Sequence, residues 1–171
     1  MLYYVRKAEM TDLSEILVII ENARLVLANQ GIPQWRNDDG PNEERLKEDI
    51  LLGEGYVLIE ENSIMGYGTV TLAEQESYID ITNGNWEPSV GYVSIHRFTI
   101  DSQVKQKGMG QFFLGHLISS ARGQNYRDIR IDTHPANIRM QKVIEKAGLI
   151  FKGNIVLNVS DGERKAYQVI L

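Results

Sequence analysis

The sequence contains no cysteine. A disulfide framework, a thiolate nucleophile and a cysteine-ligated metal site are therefore excluded. The three histidines are the remaining soft metal ligands, and no His-x-His, His-x₃-His or His-Glu-x-x-His spacing occurs among them. We therefore predict that the protein has no metal centre.

Long apolar runs and an excess of positive charge are also missing. No apolar run approaches the ~18 residues of a membrane span, and the N-terminus lacks the order of regions found in a signal peptide. We therefore expect a cytoplasmic protein without a membrane partner. The net charge of −5 argues against nucleic-acid binding, and the lack of a Gly-x-Ser-x-Gly motif argues against a serine hydrolase.

The length of 171 residues and the hydrophobic content of 43% fit one globular domain spanning 1–171. The charge is distributed unevenly along it. Residues 101–152 carry nine Lys or Arg against four Asp or Glu, and the rest of the chain is acidic. The basic segment suits a polyphosphate ligand, whereas the acidic remainder is either a solvated surface or a feature that attracts a cationic amine.

Hydrophobic periodicity predicts a mixed α/β chain. The predicted elements are a strand at 2–7, a long helix ending near 29–31, an acidic helix at 42–52, a hairpin of strands at 56–60 and 64–72, a strand at 92–100, a helix at 111–122, a strand at 128–133, a helix at 137–147 and closing strands at 149–159 and 164–171. Gly66 and Gly68 predict a bend or bulge in their strand. The polar segment 73–89, with an extra strand at 78–81, predicts a substrate-shaping insertion.

A basic, glycine-containing turn, Lys105-Gln-Lys-Gly-Met-Gly110, joins the strand at 92–100 to the helix that follows. Glycines let a backbone approach a ligand closely, and a helix N-terminus presents unpaired N–H groups, so this turn predicts a phosphate cradle. It is not a P-loop, because no Gly-Lys-Ser/Thr follows. It is not a dinucleotide fingerprint either, because Phe113 stands where glycine is required.

This turn resembles the pyrophosphate loop of the GNAT superfamily of acetyl-CoA-dependent N-acetyltransferases, usually Gln/Arg-x-x-Gly-x-Gly/Ala, with Lys105 where Gln or Arg is more usual. The resemblance extends over nearly the whole chain, through Asp132-Thr-His-Pro-Ala-Asn137 and a helix ending Glu145-Lys-Ala-Gly-Leu149. It implies an α/β (α+β) fold with a mixed, mostly antiparallel sheet, splayed at its centre and covered by helices on both faces.

The resemblance also implies acetyl-CoA as co-substrate. Main-chain groups of the strand end would hold the pantetheine arm, and N–H groups of the turn would hold the pyrophosphate. The residues implied are Phe98, Thr99, Ile100, Lys105, Gln106, Lys107, Gly108, Met109, Gly110, Gln111 and Asn137. Asn137 matches a family asparagine that bonds the pantetheine arm, but asparagine is also a favoured helix N-cap and needs no cofactor to explain it.

Two histidines are candidates for acid–base catalysis. His96 lies near a strand end from which some family members present a base, and an unperturbed pKa of ~6.5 suits that role, although a strand histidine is often a core residue. His134, beside the predicted splay, is the second candidate. Many family members have a tyrosine as general acid where this chain has Ile144. Either another group such as His134, Tyr167 or water serves as the acid, or the thiolate leaves without a dedicated acid, or the protein binds acyl-CoA without efficient catalysis.

We predict an N-acetyltransferase that acts on a primary amine of a small molecule or peptide by direct attack in a ternary complex. Trp35, between the first two helices, is predicted either to contact this substrate or to fill a gap between the helices. A non-catalytic acyl-CoA-binding or sensing module and a scaffold protein are the alternatives. Family members often dimerise through terminal strands, so a homodimer stays open.

Overall fold

The computed structural model describes residues 2–104 and 106–171. The strands are β1 (Tyr3–Lys7), β2 (Gly55–Glu60), β3 (Ser63–Thr71), β4 (Val93–Ile100), β5 (Asp128–Thr133), β6 (Ile150–Val156) and β7 (Glu163–Ile170). The α-helices are α1 (Leu13–Asn29), α2 (Glu43–Leu51), α3 (Met109–Gly123) and α4 (Ile138–Lys146). Two 3₁₀ turns lie at Met10–Asp12 and Glu76–Tyr78, so the second turn replaces the extra strand predicted at 78–81.

The seven strands form one sheet in the order β1-β2-β3-β4-β5-β7-β6. Every pair is antiparallel except β4 and β5, which are parallel. Their pairing runs only from Val93 with Ile129 to Ile95 with Ile131, and the rest of β4 has no partner on β5. The expected mixed sheet is thus confirmed, and the gap between β4 and β5 provides space for an extended ligand.

Irregular pairing on both sides of β3 bends the sheet near this gap. Against β2, β3 carries one extra residue next to Gly66, as the glycines predicted. A Cβ on Gly66 would lie 2.9 Å from the carbonyl oxygen of Thr99, so the close approach of β4 requires glycine there. Against β3, β4 carries an extra residue at Arg97–Phe98, and Arg97 has φ +53°. This left-handed residue marks local strain at the start of the gap.

Helices cover both faces of the sheet. On one face α3 and α4 pack against β4 and β5, burying Phe113, Leu117 and Ile144 completely. On the other face α1 and α2 bury Ile16 and Leu46 against β2 and β3. Each such side chain contributes roughly 1.5–3 kcal/mol through removal from water. Among the described residues, no helix is both long enough and apolar enough to cross a membrane.

The segment 73–92 folds back over β5, β6 and β7 on the same face as α1 and α2. Tyr78 is its anchor and packs in a small third core with Ile155 and Ala166. The Arg130 guanidinium lies 4.3 Å from the ring centre of Trp86 and 4.0 Å from that of Tyr92. The insertion is therefore packed against the sheet that forms one wall of the gap.

Candidate active site

A cavity of about 760 Å³ follows the gap between β4 and β5. We call the part around residues 106–111 the loop end, and the part around His96, Asp132 and Arg164 the carboxylate end. Backbone groups and basic side chains form the loop end, whereas polar side chains from separate parts of the chain form the carboxylate end.

At the loop end, α3 begins without a side-chain cap. Gly108 occupies the N-cap position with φ +86°, a conformation that favours glycine. The first helical bond of this turn is donated by the N–H of Phe112 to the carbonyl of Gly108. The N–H groups of Met109, Gly110 and Gln111 precede it and have no helical carbonyl to pair with. Together with the positive end of the helix dipole they form an anion-binding site.

Basic side chains surround this helix start. Lys107, Arg139, Lys142 and Lys146 all line the cavity there. No acidic residue occupies the first turn of α3, so the positive potential of the helix start is not offset locally. The predicted residue Lys105 lies outside the described residues. The charge at the loop end therefore suits a polyphosphate.

The predicted pantetheine residues line the next part of the cavity. Thr99 and Ile100 pair with β3 on one side. On the other side, β5 offers no pairing to the segment 96–100. The ring of Phe98 stacks on Phe113 with centroids 5.3 Å apart, which fixes the strand against α3. An extended ligand in the gap can thus bond the backbone of β4.

Asn137 caps α4. Its Oδ1 accepts a hydrogen bond from the N–H of Met140 at 3.1 Å, and its Nδ2 donates to Gln34 Oε1 at 3.1 Å. The residue also lines the cavity. Capping accounts for this asparagine without any ligand, so its contact with a cofactor stays a prediction.

His96 is held as a neutral side chain at the carboxylate end. Its Nε2 is 2.9 Å from Ser94 Oγ, and its Nδ1 is 4.0 Å from Asp132 Oδ2. Burial lowers the pKa of His96 to about 3, and the positive charges of Arg97 and Arg45 act in the same direction. A histidine with so low a pKa is a weak proton acceptor at neutral pH.

Asp132, which the sequence analysis did not propose as a functional group, lies opposite His96 across the start of the gap. The hydroxyl of Tyr78 donates to its Oδ2 at 2.8 Å, and Arg164 Nε is 3.9 Å from its Oδ1. Burial raises the pKa of Asp132, against the effects of the Tyr78 hydrogen bond and the Arg164 charge. The sequence feature that could have identified Asp132 was its place near the end of a predicted buried strand, beside the expected splay.

Arg97 fixes the bulge of β4 to α2. Its Nη2 donates to Asp49 Oδ1 at 2.8 Å, and its Nε lies 2.7 Å from Asp49 Oδ2. The hydroxyl of Tyr67 also donates to this fully buried carboxylate at 3.1 Å. Burial raises the pKa of Asp49, whereas Arg97 and Arg45 lower it. Because its positive charge is paired with Asp49, we assign Arg97 a structural role at the site.

Trp35 and His134 occupy different surroundings. Trp35 lines the cavity and also packs against the core beneath α1 and α2. The same side chain therefore fills space next to the helices and forms part of the cavity wall. His134 is not among the described residues that line the cavity, and its Nδ1 accepts the N–H of Ala136 at 3.0 Å. Substrate contact by Trp35 and catalysis by His134 stay predictions.

Ile144, at the position of the family tyrosine, and Tyr167, one suggested replacement for it, both lie away from the cavity. Ile144 lies on α4, and its side chain is fully buried. Tyr167 is buried against Phe151, and burial together with Glu145 raises its pKa to about 12. Neither is among the described lining residues. No group of three or more side chains that could hold a metal ion occurs within 2–104 and 106–171.

Comparisons with known proteins agree with this geometry. Residues 26–149 match the sequence model of the acetyltransferase (GNAT) family. A GNAT family acetyltransferase from Streptococcus agalactiae is 34% identical, with a TM-score of 0.89 over 99% of this chain and 95% of that chain. One from Bacillus cereus is 21% identical, with a TM-score of 0.68 over 99% and 98% of the two chains. The search of curated proteins found no match.

A further solved structure carries a ligand. The acetyltransferase yncA from Salmonella typhimurium, described with its cofactor acetyl-CoA, is 16% identical, with a TM-score of 0.68 over 99% of this chain and 94% of that chain. At this identity the likeness concerns the fold alone.

Proposed function

The chain belongs to the GNAT acetyltransferase family, and from this premise we propose that it transfers the acetyl group of acetyl-CoA to a primary amine of a small molecule or peptide. The observation that carries the proposal is the uncapped, basic start of α3 at one end of a cavity that continues between β4 and β5. A polyphosphate and an extended arm require these two features side by side.

The loop end would hold acetyl-CoA as a substrate. The N–H groups of 108–111 would bond its pyrophosphate, assisted by Lys107 and Lys142. The unpaired edge of β4 at 98–100 would bond the pantetheine arm. This arrangement directs the thioester towards the carboxylate end, where an amine can meet it. Holding both reactants in one cavity raises the rate, because a bimolecular step then becomes effectively unimolecular.

The reaction that fits is direct attack. The amine nitrogen bonds to the thioester carbonyl carbon, the carbon–sulfur bond breaks, and the departing thiolate takes up a proton. The absence of cysteine excludes a thioester-linked acyl-enzyme. Tyr78, Ser94, His96 and Asp132 are polar side chains in contact with one another at the start of the gap, where we expect the amine to bind.

A non-catalytic acyl-CoA-binding module is the second candidate. The feature that favours it is Ile144, which stands at the usual position of the proton-donating tyrosine and has no proton to give. Such a module would bind acetyl-CoA at the same loop end without turnover.

One assay distinguishes the two candidate functions. The purified protein is mixed with acetyl-CoA and, in turn, lysine, spermidine, phenethylamine or a peptide with a free N-terminus. Thiol release and the mass of the product are then measured. We expect amine-dependent thiol release together with an acetylated amine. Binding of acetyl-CoA without transfer to any amine would favour the non-catalytic module, and absence of binding would contradict both candidates.

A further inference from the structure

Asp132 occupies the position from which a base could reach the attacking amine. The strands β4 and β5 pair as far as Ile95 with Ile131, so His96 and Asp132 are the first residues on either side of the gap. Both line the cavity. Asp132 is also paired with Ala166 of β7, so its backbone is supported on the side away from the gap. Such support gives a functional side chain a defined place.

The two oxygens of this carboxylate have different surroundings. Oδ2 accepts the hydroxyl proton of Tyr78 at 2.8 Å. Oδ1 receives no hydrogen bond within 2–104 and 106–171, since Arg164 Nε, at 3.9 Å, is beyond hydrogen-bond distance. The Nη1 of Arg164 is itself used by the carbonyls of Asp161 and Glu163. Oδ1 is therefore the oxygen that remains for a donor in the cavity, and a protonated amine is such a donor.

His96 does not compete for this role. Its Nε2 is occupied by Ser94, and its Nδ1 lies 4.0 Å from Asp132 Oδ2. The groups that face the carboxylate are thus Tyr78 from the insertion, His96 from β4 and Arg164 from β7. Burial raises the pKa of Asp132 and makes it a better proton acceptor, while Tyr78 and Arg164 keep its charged form accessible.

We propose that Asp132 is the catalytic base of the transfer and that Tyr78 is the residue that positions its carboxylate. Oδ1 accepts a hydrogen bond from the ammonium group of the acceptor and takes one of its protons. The nitrogen lone pair so released bonds to the thioester carbonyl carbon, and the electron pair of the broken carbon–sulfur bond leaves on sulfur. As the carbon–sulfur bond breaks, the nitrogen gives up a second proton to the departing thiolate, and the proton on Asp132 passes to solvent, so that the products are a neutral amide and free coenzyme A. This assignment rests on the proposed function.

The test compares wild-type protein with Asp132→Asn, using whichever amine of the panel gives the fastest thiol release. At neutral pH we expect kcat to fall by about 10²–10⁴-fold, the range for loss of a general base, with the affinity for acetyl-CoA unchanged. The residual rate should keep rising with pH, because the amine then loses its proton in solution. A kcat within twofold of wild type, or a change confined to KM, would overturn the assignment.

Tyr78→Phe tests the positioning role while keeping the ring that packs on Trp86 and Tyr92. Loss of one hydrogen bond should lower kcat about fivefold. It should also move the acidic limb of the pH profile to higher pH, because that bond lowers the pKa of Asp132. An unshifted limb would remove Tyr78 from the mechanism.

Asp128→Asn is the matched control. This buried carboxylate lies on the same strand and faces the same side of the sheet, but it pairs with Arg130 away from the cavity. It should lose stability and keep the wild-type pH profile. If the wild-type protein neither binds acetyl-CoA nor releases thiol with any amine of the panel, the proposed function fails first and the assignment of Asp132 fails with it. Full transfer activity in Asp132→Asn overturns the assignment alone.

Discussion

The two ends of the cavity are built in different ways. The loop end consists mainly of backbone groups from one short stretch, 106–111, with basic side chains of α4 beside it. The carboxylate end consists of side chains brought together from the insertion, β4, β5 and β7. We therefore expect recognition of acetyl-CoA to depend on local backbone conformation, and the chemistry of the amine to depend on long-range packing. Changes at one end should leave the other end intact.

The largest effect is expected at Gly110. A Cβ there would meet the methyl groups of Val143 at 3.5 and 3.6 Å, which is ordinary contact, so Gly110→Ala should fold and bind normally. Gly110→Phe should weaken acetyl-CoA binding at least about 100-fold, or about 2.8 kcal/mol, because its ring must cover the first N–H groups of α3. Isothermal titration and circular dichroism of both variants check this. Tight binding by a folded Gly110→Phe would place the ligand elsewhere.

An effect of intermediate size is expected from His96. Its pKa is lowered in the folded protein, so the unfolded chain binds more protons below pH 6.5 and stability is lost as the pH falls. Between pH 6.5 and pH 5 the wild type should lose about 2 kcal/mol more than His96→Gln. Urea unfolding at the two pH values measures the difference. His116→Gln, at an exposed position on α3, is the control for the loss of a histidine side chain.

Identical pH dependence of wild type and His96→Gln would mean that the pKa of this histidine is not lowered by folding. His96 would then again be a candidate base, and its pKa would no longer argue for Asp132 in that role.

The smallest effect is expected at the helix cap of α4. Asn137→Ala should cost about 1 kcal/mol of stability through loss of the bond to Met140. Asn42→Ala, which removes the corresponding cap of α2 at Arg45, should cost a similar amount. Only the first change should also weaken acetyl-CoA binding, if the asparagine contacts the ligand. Thermal unfolding with and without acetyl-CoA compares the two, and equal ligand-induced shifts would leave Asn137 as a cap alone.

The loop end could be predicted from the sequence because its determinants are local. An apolar strand, two glycines and a helical periodicity occur in order, and their positions already fix where the backbone turns. The bounds differ slightly, since α3 begins at Met109 and not at residue 111. The reason is the left-handed conformation of Gly108, which ends the turn and starts the helix earlier than the apolar periodicity indicates.

The carboxylate end could not be predicted because its contacts join distant residues. Tyr78 meets Asp132 across 54 positions of the chain, and Arg97 meets Asp49 across 48. Nothing in the local pattern around His96 indicates how deeply its ring is buried, and burial decides its protonation state. The substrate-shaping role of the insertion stays a prediction, and the insertion contacts the carboxylate end through the hydrogen bond from Tyr78 to Asp132.

Calorimetric titration of the wild-type protein with acetyl-CoA, repeated with free coenzyme A, tests the central claim most directly. We predict saturable binding of both ligands to one site per chain. Affinity should fall as salt is added, because the loop end recognises a polyphosphate through basic groups and the start of α3. Absence of binding by either ligand up to ~1 mM, a level at which affinity would be weaker than about −4 kcal/mol, would contradict the account.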